Sequence, residues 1–142
     1  MRPFTAIPRP GDRVADDVQL LALATFLADA APRGRSLRLT WLDADERLLA
    51  RLVPVDDLPA LPGPPVAGLG TLLASAIRQS APGGSVVAVL QRPGDDAIGA
   101  TDRAWNAAIR DQAREHGVRV RGVFVAAGGS VRPVTLDDAL GG

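Results

Sequence analysis

Residues 85–91, SVVAVLQ, carry the reading on which the fold turns. The run is short and apolar, set between Pro82-Gly83-Gly84 and Pro93-Gly94. A strand that alternates has one wet face, whereas an unbroken apolar run belongs to a central strand covered on both faces. Working outward, VAGLGTLLASAIRQS (66–80) places Val66, Leu69, Leu73 and Ile77 at helical spacing, and Pro82-Gly83-Gly84 stops that helix. On the other side a helix starts near Thr101, with Trp105, Ala108, Ile109 and Gln112 as its inner stripe and Gly117 just past its end. VRVRGVFVA (118–126) is a further strand, and Gly128-Gly129 turns it into SVRPVT (130–135).

Towards the N-terminus, SLRLTWLD (36–43) alternates, with Leu37, Leu39 and Trp41 on one face and Arg38 and Thr40 on the other. Asp43-Ala44-Asp45-Glu46 is a hairpin turn, and RLLARLVPV (47–55) returns antiparallel. A helix is expected from about Asp16 to Ala30, with a broad apolar arc, acids near its start and an end at Ala31-Pro32-Arg33-Gly34. Residues 54–65 hold five prolines and read as a rigid connection whose Val55, Leu58 and Leu61 can pack. The expected architecture is one α/β (α+β) domain: a mixed sheet of about five strands with three helices. Residues 1–15 are expected to form an N-terminal arm and residues 16–142 the domain.

Composition narrows the chemistry. Sixteen basic residues balance sixteen acidic ones in 142 residues, so no overall field holds nucleic acid or an anionic membrane. No apolar run reaches the length of a membrane span, and MRPFTAIPRPGDR lacks the core of a signal peptide, so a cytoplasmic protein is expected. The chain has no Cys, which excludes thiolate nucleophiles, Fe–S clusters and Cys-type zinc sites. It has no Lys, which excludes Schiff bases and the P-loop. Its one histidine, His116, reads as a polar residue in the last turn of a helix. Gly83-Gly84 and Gly128-Gly129 are caps and turns, since neither lies between a strand and a following helix.

The loop Arg92-Pro93-Gly94-Asp95-Asp96, with Asp102 opening the next helix, is the candidate site. It follows the carboxyl end of the central strand, where open α/β sheets bind ligands. Its three carboxylates could hold Mg²⁺ weakly, but Pro-Gly-Asp-Asp reads first as turn chemistry and Asp102 as a complement to the helix N-terminus. Arg119 and Arg121 read as the solvated face of an outer strand, and Trp41 and Trp105 as core residues.

RSLRLTWLDADERLLARLVPV and VVAVLQRPGDDAIGATDRAW, in this order of elements, resemble the RadC-like JAB domain of the JAB/MPN metalloprotease-like superfamily. The resemblance aligns Leu42-Asp43 with the family's first hairpin and Arg35 with its glutamate. It sets Leu90 and Arg92 at the two histidine positions of His-x-His-Pro-Ser-Gly-Asp, matches Pro93, and matches Asp102 to the last aspartate. Gly99 or Ala100 replaces the motif serine, and Arg121-Gly122 stands at a downstream Asp-His pair. Such domains hold Zn²⁺ through two histidines and an aspartate, with a glutamate holding the attacking water. Both histidines and the glutamate are missing here, and the Arg92 guanidinium has no lone pair to give a cation.

The resemblance therefore implies a metal-free, catalytically inactive relative without a cofactor, acting as a protein-interaction or scaffold module. Two alternatives stand beside it. One is an Mg²⁺-dependent enzyme on a phosphorylated substrate, using Asp95, Asp96 and Asp102. The other is a nucleic-acid module in which Arg35, Arg92, Arg119 and Arg121 cluster. For an interaction module the expected surface is the first helix, through some of Leu20, Leu23 and Leu27, the proline-rich stretch, through Leu58 and Leu61, or both. Its partner is then another protein or a second copy of the chain. The alternative is that the proline-rich stretch folds back over the helix and closes the core.

Overall fold

A computed structural model describes residues 7–28, 32–63 and 66–135, with the side chains of residues 66 and 67 outside the description. The expectations for Val66, for a stop at Ala31 and for Pro64-Pro65 fall outside the described residues. Eight elements follow in the expected order: α1 (Asp17–Leu27), β1 (Ser36–Leu42), β2 (Leu48–Val55), α2 (Val66–Ser80), β3 (Ser85–Gln91), α3 (Ala100–Glu115), β4 (Arg119–Ala127) and β5 (Ser130–Val134). They form a single α+β domain with a five-stranded mixed sheet and three helices. Strand order is β2-β1-β3-β4-β5, with β3 and β4 parallel and the other neighbours antiparallel.

β3 is central, and all seven of its residues are buried. Its side chains divide between two cores. Val86, Ala88 and Leu90 join Leu37, Leu39, Trp41, Leu73, Trp105 and Ile109 beneath α2 and α3. Val87 and Val89 join Val14, Leu23, Leu27 and Phe124 beneath α1. The unbroken apolar run thus serves two layers, as period-2 geometry requires.

α1 opens with a capping box. The Asp16 carboxylate accepts from the Gln19 amide at 2.8 Å, and the Gln19 side chain accepts in return from the Asp16 amide at 3.4 Å and also from the Ala15 amide at 2.9 Å. Its inner stripe is Leu20, Leu23, Ala24 and Leu27. The expectation that Leu20, Leu23 and Leu27 serve a partner is corrected here. They are 4%, 1% and 7% exposed, because their i, i+3, i+7 spacing turns them onto the sheet. The outward apolar residues of this helix are Val18, Leu21 and Phe26.

Part of the expected N-terminal arm belongs to the sheet layer. The Gly11 amide donates to the Leu48 carbonyl, Leu48 donates back to Asp12, and Val14 donates to Glu46. Val14 is fully buried. β4 is not an outer strand, since β3 and β5 flank it. Pairing jumps from Val86–Val120 to Val87–Gly122, so Arg121 is the extra residue of a β-bulge. That insertion moves the inward face from Val118 and Val120 to Val123 and Val125. Each edge strand contains a proline: Pro54 in β2 and Pro133 in β5.

Candidate functional site

The site forms where β3 ends and α3 begins. β3 delivers Gln91 and Arg92 into the interior, 2% and 9% exposed. The Arg92 amide donates to the Ala126 carbonyl of β4 at 3.1 Å, which holds the start of the loop on the parallel pair. Gly94, at φ +104°, then reverses the chain so that residues 93–97 curl around the guanidinium.

Every N–H direction of that guanidinium has an acceptor. Nε donates to Asp102 Oδ1 and Nη2 to Asp102 Oδ2, both at 2.8 Å, a bidentate pair. Nη1 donates to the carbonyls of Pro93 (3.2 Å) and Asp95 (2.8 Å), and Nη2 donates also to that of Ala97 (2.8 Å). Arginine has five such protons, and the loop and Asp102 take them all. Asp102, 1% exposed, accepts in addition from the Gly99 amide at 3.0 Å, so one carboxylate both caps α3 and pairs with Arg92.

The electrostatics follow from this geometry. Burial pushes the Asp102 carboxyl up. The hydrogen bonds from Arg92 and Gly99, with the charges of Arg92 and Arg35, outweigh burial and hold it below the usual carboxylate range. The hydrogen bond to Asp102 raises Arg92 above its ordinary value against desolvation, helped by the charges of Asp102, Asp95 and Asp96.

The three candidate carboxylates do not share a focus. Asp102 faces inward to Arg92, Asp95 accepts from the Ala97 amide at 3.1 Å, and Asp96 pairs with Arg132 of β5 at 3.2 Å. Among the described residues no three His, Cys, Asp or Glu side chains gather at one point. The four arginines of the nucleic-acid alternative separate as well. Arg35 lies near the site, its Nη2 3.5 Å from Thr101 Oγ1. Arg119 and Arg121 lie at the opposite end of β4, where Arg119 shares a surface with Arg13 and Arg47.

Arg121 reaches towards the Ala15 carbonyl (3.4 Å), Asp17 (3.9 Å) and Glu46 (3.7 Å). No periodicity in the sequence marks the bulge that aims it there. His116 closes α3 as expected: its Nδ1 lies 3.0 Å from the Gln112 carbonyl, and Gly117 follows at φ +69°.

No family model matches this chain, and no curated protein is similar to it.

The proline-rich connection is tied to the site's helix, since Trp105 Nε1 donates to the carbonyls of Pro59 (3.1 Å) and Ala60 (3.2 Å). Leu58 packs half-buried against the core, whereas Leu61 is 59% exposed. No helix among the described residues is long and apolar enough to cross a membrane.

Proposed function

We propose that this chain is a non-catalytic binding domain of the JAB-like kind, whose ancestral metal position is closed by an internal ion pair. The observation that carries this reading is the Arg92–Asp102 pair. Arg92 stands where the resemblance aligns a metal-binding histidine and Asp102 where it aligns the aspartate ligand, and here they bind each other at 2.8 Å. The residues present do not fit zinc. A guanidinium offers no lone pair, and both Asp102 oxygens are already accepting from buried donors.

With that position closed, the chain acts through its surface. The outward side of α1 presents Val18, Leu21 and Phe26, while the Thr25 hydroxyl donates to its own helix at the Leu21 carbonyl. An apolar side of this kind suits contact with another protein, a second copy included.

Zinc retention tests the closed site. Protein incubated with excess Zn²⁺ and then desalted should retain less than about a tenth of an equivalent, and neither Zn²⁺ nor a chelator should move its melting temperature. A site loaded at a hundred times its dissociation constant would stabilise the fold by about 2.7 kcal/mol, a shift that melting resolves. One equivalent of retained zinc would refute the reading.

A further inference from the structure

An apolar cavity of about 630 Å³ lies at the other end of β4 from Arg92, between α1 and the β4–β5 hairpin. Small-molecule sites run roughly 300–1,000 Å³ and are apolar with a few convergent polar groups. Leu20 and Phe124 floor this cavity, each under 5% exposed, and Arg110 and Arg121 line it.

Two backbone features shape it. The β-bulge inserts Arg121 out of the strand's alternation, the way bulges beside binding sites re-aim a side chain. The next residue is Gly122, where a Cβ would sit 3.0 Å from Phe124 Cε1 and 3.1 Å from Leu20 Cδ2. A side chain there would crowd both residues that form the floor.

Arg121 is only 20% exposed, yet its nearest oxygens, at 3.4 to 3.9 Å, lie beyond the usual 2.7–3.2 Å of an N–H···O bond. Two carboxylates stand near it at these longer distances: Asp17, the one acid on the lining, is 98% exposed, and Glu46, outside the lining, is 35% exposed. Arg110 is held at the cavity wall by bonds to Asn106 Oδ1 and the Val134 carbonyl, both 2.9 Å.

We infer that this cavity binds a small carboxylic acid with an apolar chain or ring, its body on Leu20 and Phe124 and its carboxylate on Arg121. A carboxylate matches the planar fork of a guanidinium bidentately, and a partly desolvated cation gains more from such a pair than an exposed one does. This site shares no residue with the Arg92–Asp102 pair and stands or falls apart from the reading of that pair.

Decanoate, kept well below its micelle concentration, is the probe. By titration calorimetry decanoate should bind one to one, at least tenfold more tightly than decanol, and acetate should not bind detectably. Arg121→Gln should weaken decanoate tenfold or more and leave decanol unchanged. In the wild-type protein, amide resonances of residues 121–124, 134 and 135 should move on titration while those of 92 and 94–99 stay still, which keeps the test independent of any variant's folding. Equal affinity for decanoate and decanol, no binding at all, or resonance shifts centred elsewhere would each overturn the inference.

Discussion

Gly128 and Asp96 meet backbone to backbone: a Cβ on Gly128 would lie 2.9 Å from the Asp96 amide nitrogen. The two-residue turn of the β4–β5 hairpin therefore buttresses the loop that wraps Arg92. Gly128 and Gly129 take φ values of +58° and +79°, the positive pair that a tight hairpin turn demands. Gly128→Ala should cost about 2–3 kcal/mol, combining left-handed strain with displacement of the loop. At Gly129 a Cβ would meet nothing within 4 Å, so Gly129→Ala should cost only about 1–2 kcal/mol from the dihedral. Denaturant midpoints of the two variants measure the difference, and equal losses would mean the loop does not lean on the turn.

Asp102→Asn tests the buried pair and its pH dependence together. Removing the charge leaves the Arg92 guanidinium buried opposite a neutral amide, at a cost of about 3–5 kcal/mol. The folded Asp102 carboxyl sits below its unfolded value of about 3.9, so the stability it contributes is fully present above that pH. It is lost as pH falls through the folded value. The stability gap between wild type and Asp102→Asn should be widest near pH 6 and should close steadily below about pH 4. Melting curves across that range would show it, and a gap independent of pH would contradict the assignment.

The two leucines of the proline-rich connection should behave differently. Leu58 packs against the core and its amide donates to the Arg35 carbonyl at 2.9 Å, so Leu58→Asp should destabilise by about 2–3 kcal/mol. Leu61 is mostly exposed, and Leu61→Asp should fall within about 0.5 kcal/mol of wild type. Thermal melts of the single variants decide it, and two equal losses would move Leu61 into the core.

Much of this architecture could be read from periodicity alone. β3 announces itself as a doubly covered strand, and β1 by the alternation of Leu37, Leu39 and Trp41 with Arg38 and Thr40. α1 resisted because it is apolar on every side, so no polar stripe marks its outer face. The signal available was Ala24 falling at i+4 between Leu20 and Leu27, which completes the inner stripe. The bulge at Arg121 left no trace, since one inserted residue changes the register without changing composition. The Arg92–Asp102 pair was half readable. Asp102 could be placed at a helix N-terminus, but its second partner, ten residues away, depends on how Gly94 turns the loop. A cation following directly on a buried strand, with an acid in the first turn of the next helix, was the clue.

The prolines in β2 and β5 bear on how this molecule can join others. Counted from the Gly128-Gly129 turn, Phe124–Pro133 falls at a position where the nitrogen of Pro133 faces the open side of the sheet. An incoming strand would find no donor there, and a proline in the opposite edge strand is tolerated only where its nitrogen likewise points away from the ladder. Both margins of the sheet are thus poor templates for strand-by-strand growth, which spares the chain a common route to fibres. Contacts made through side chains on a helical layer escape this limit, and there a single substitution can switch a contact off without unravelling a strand.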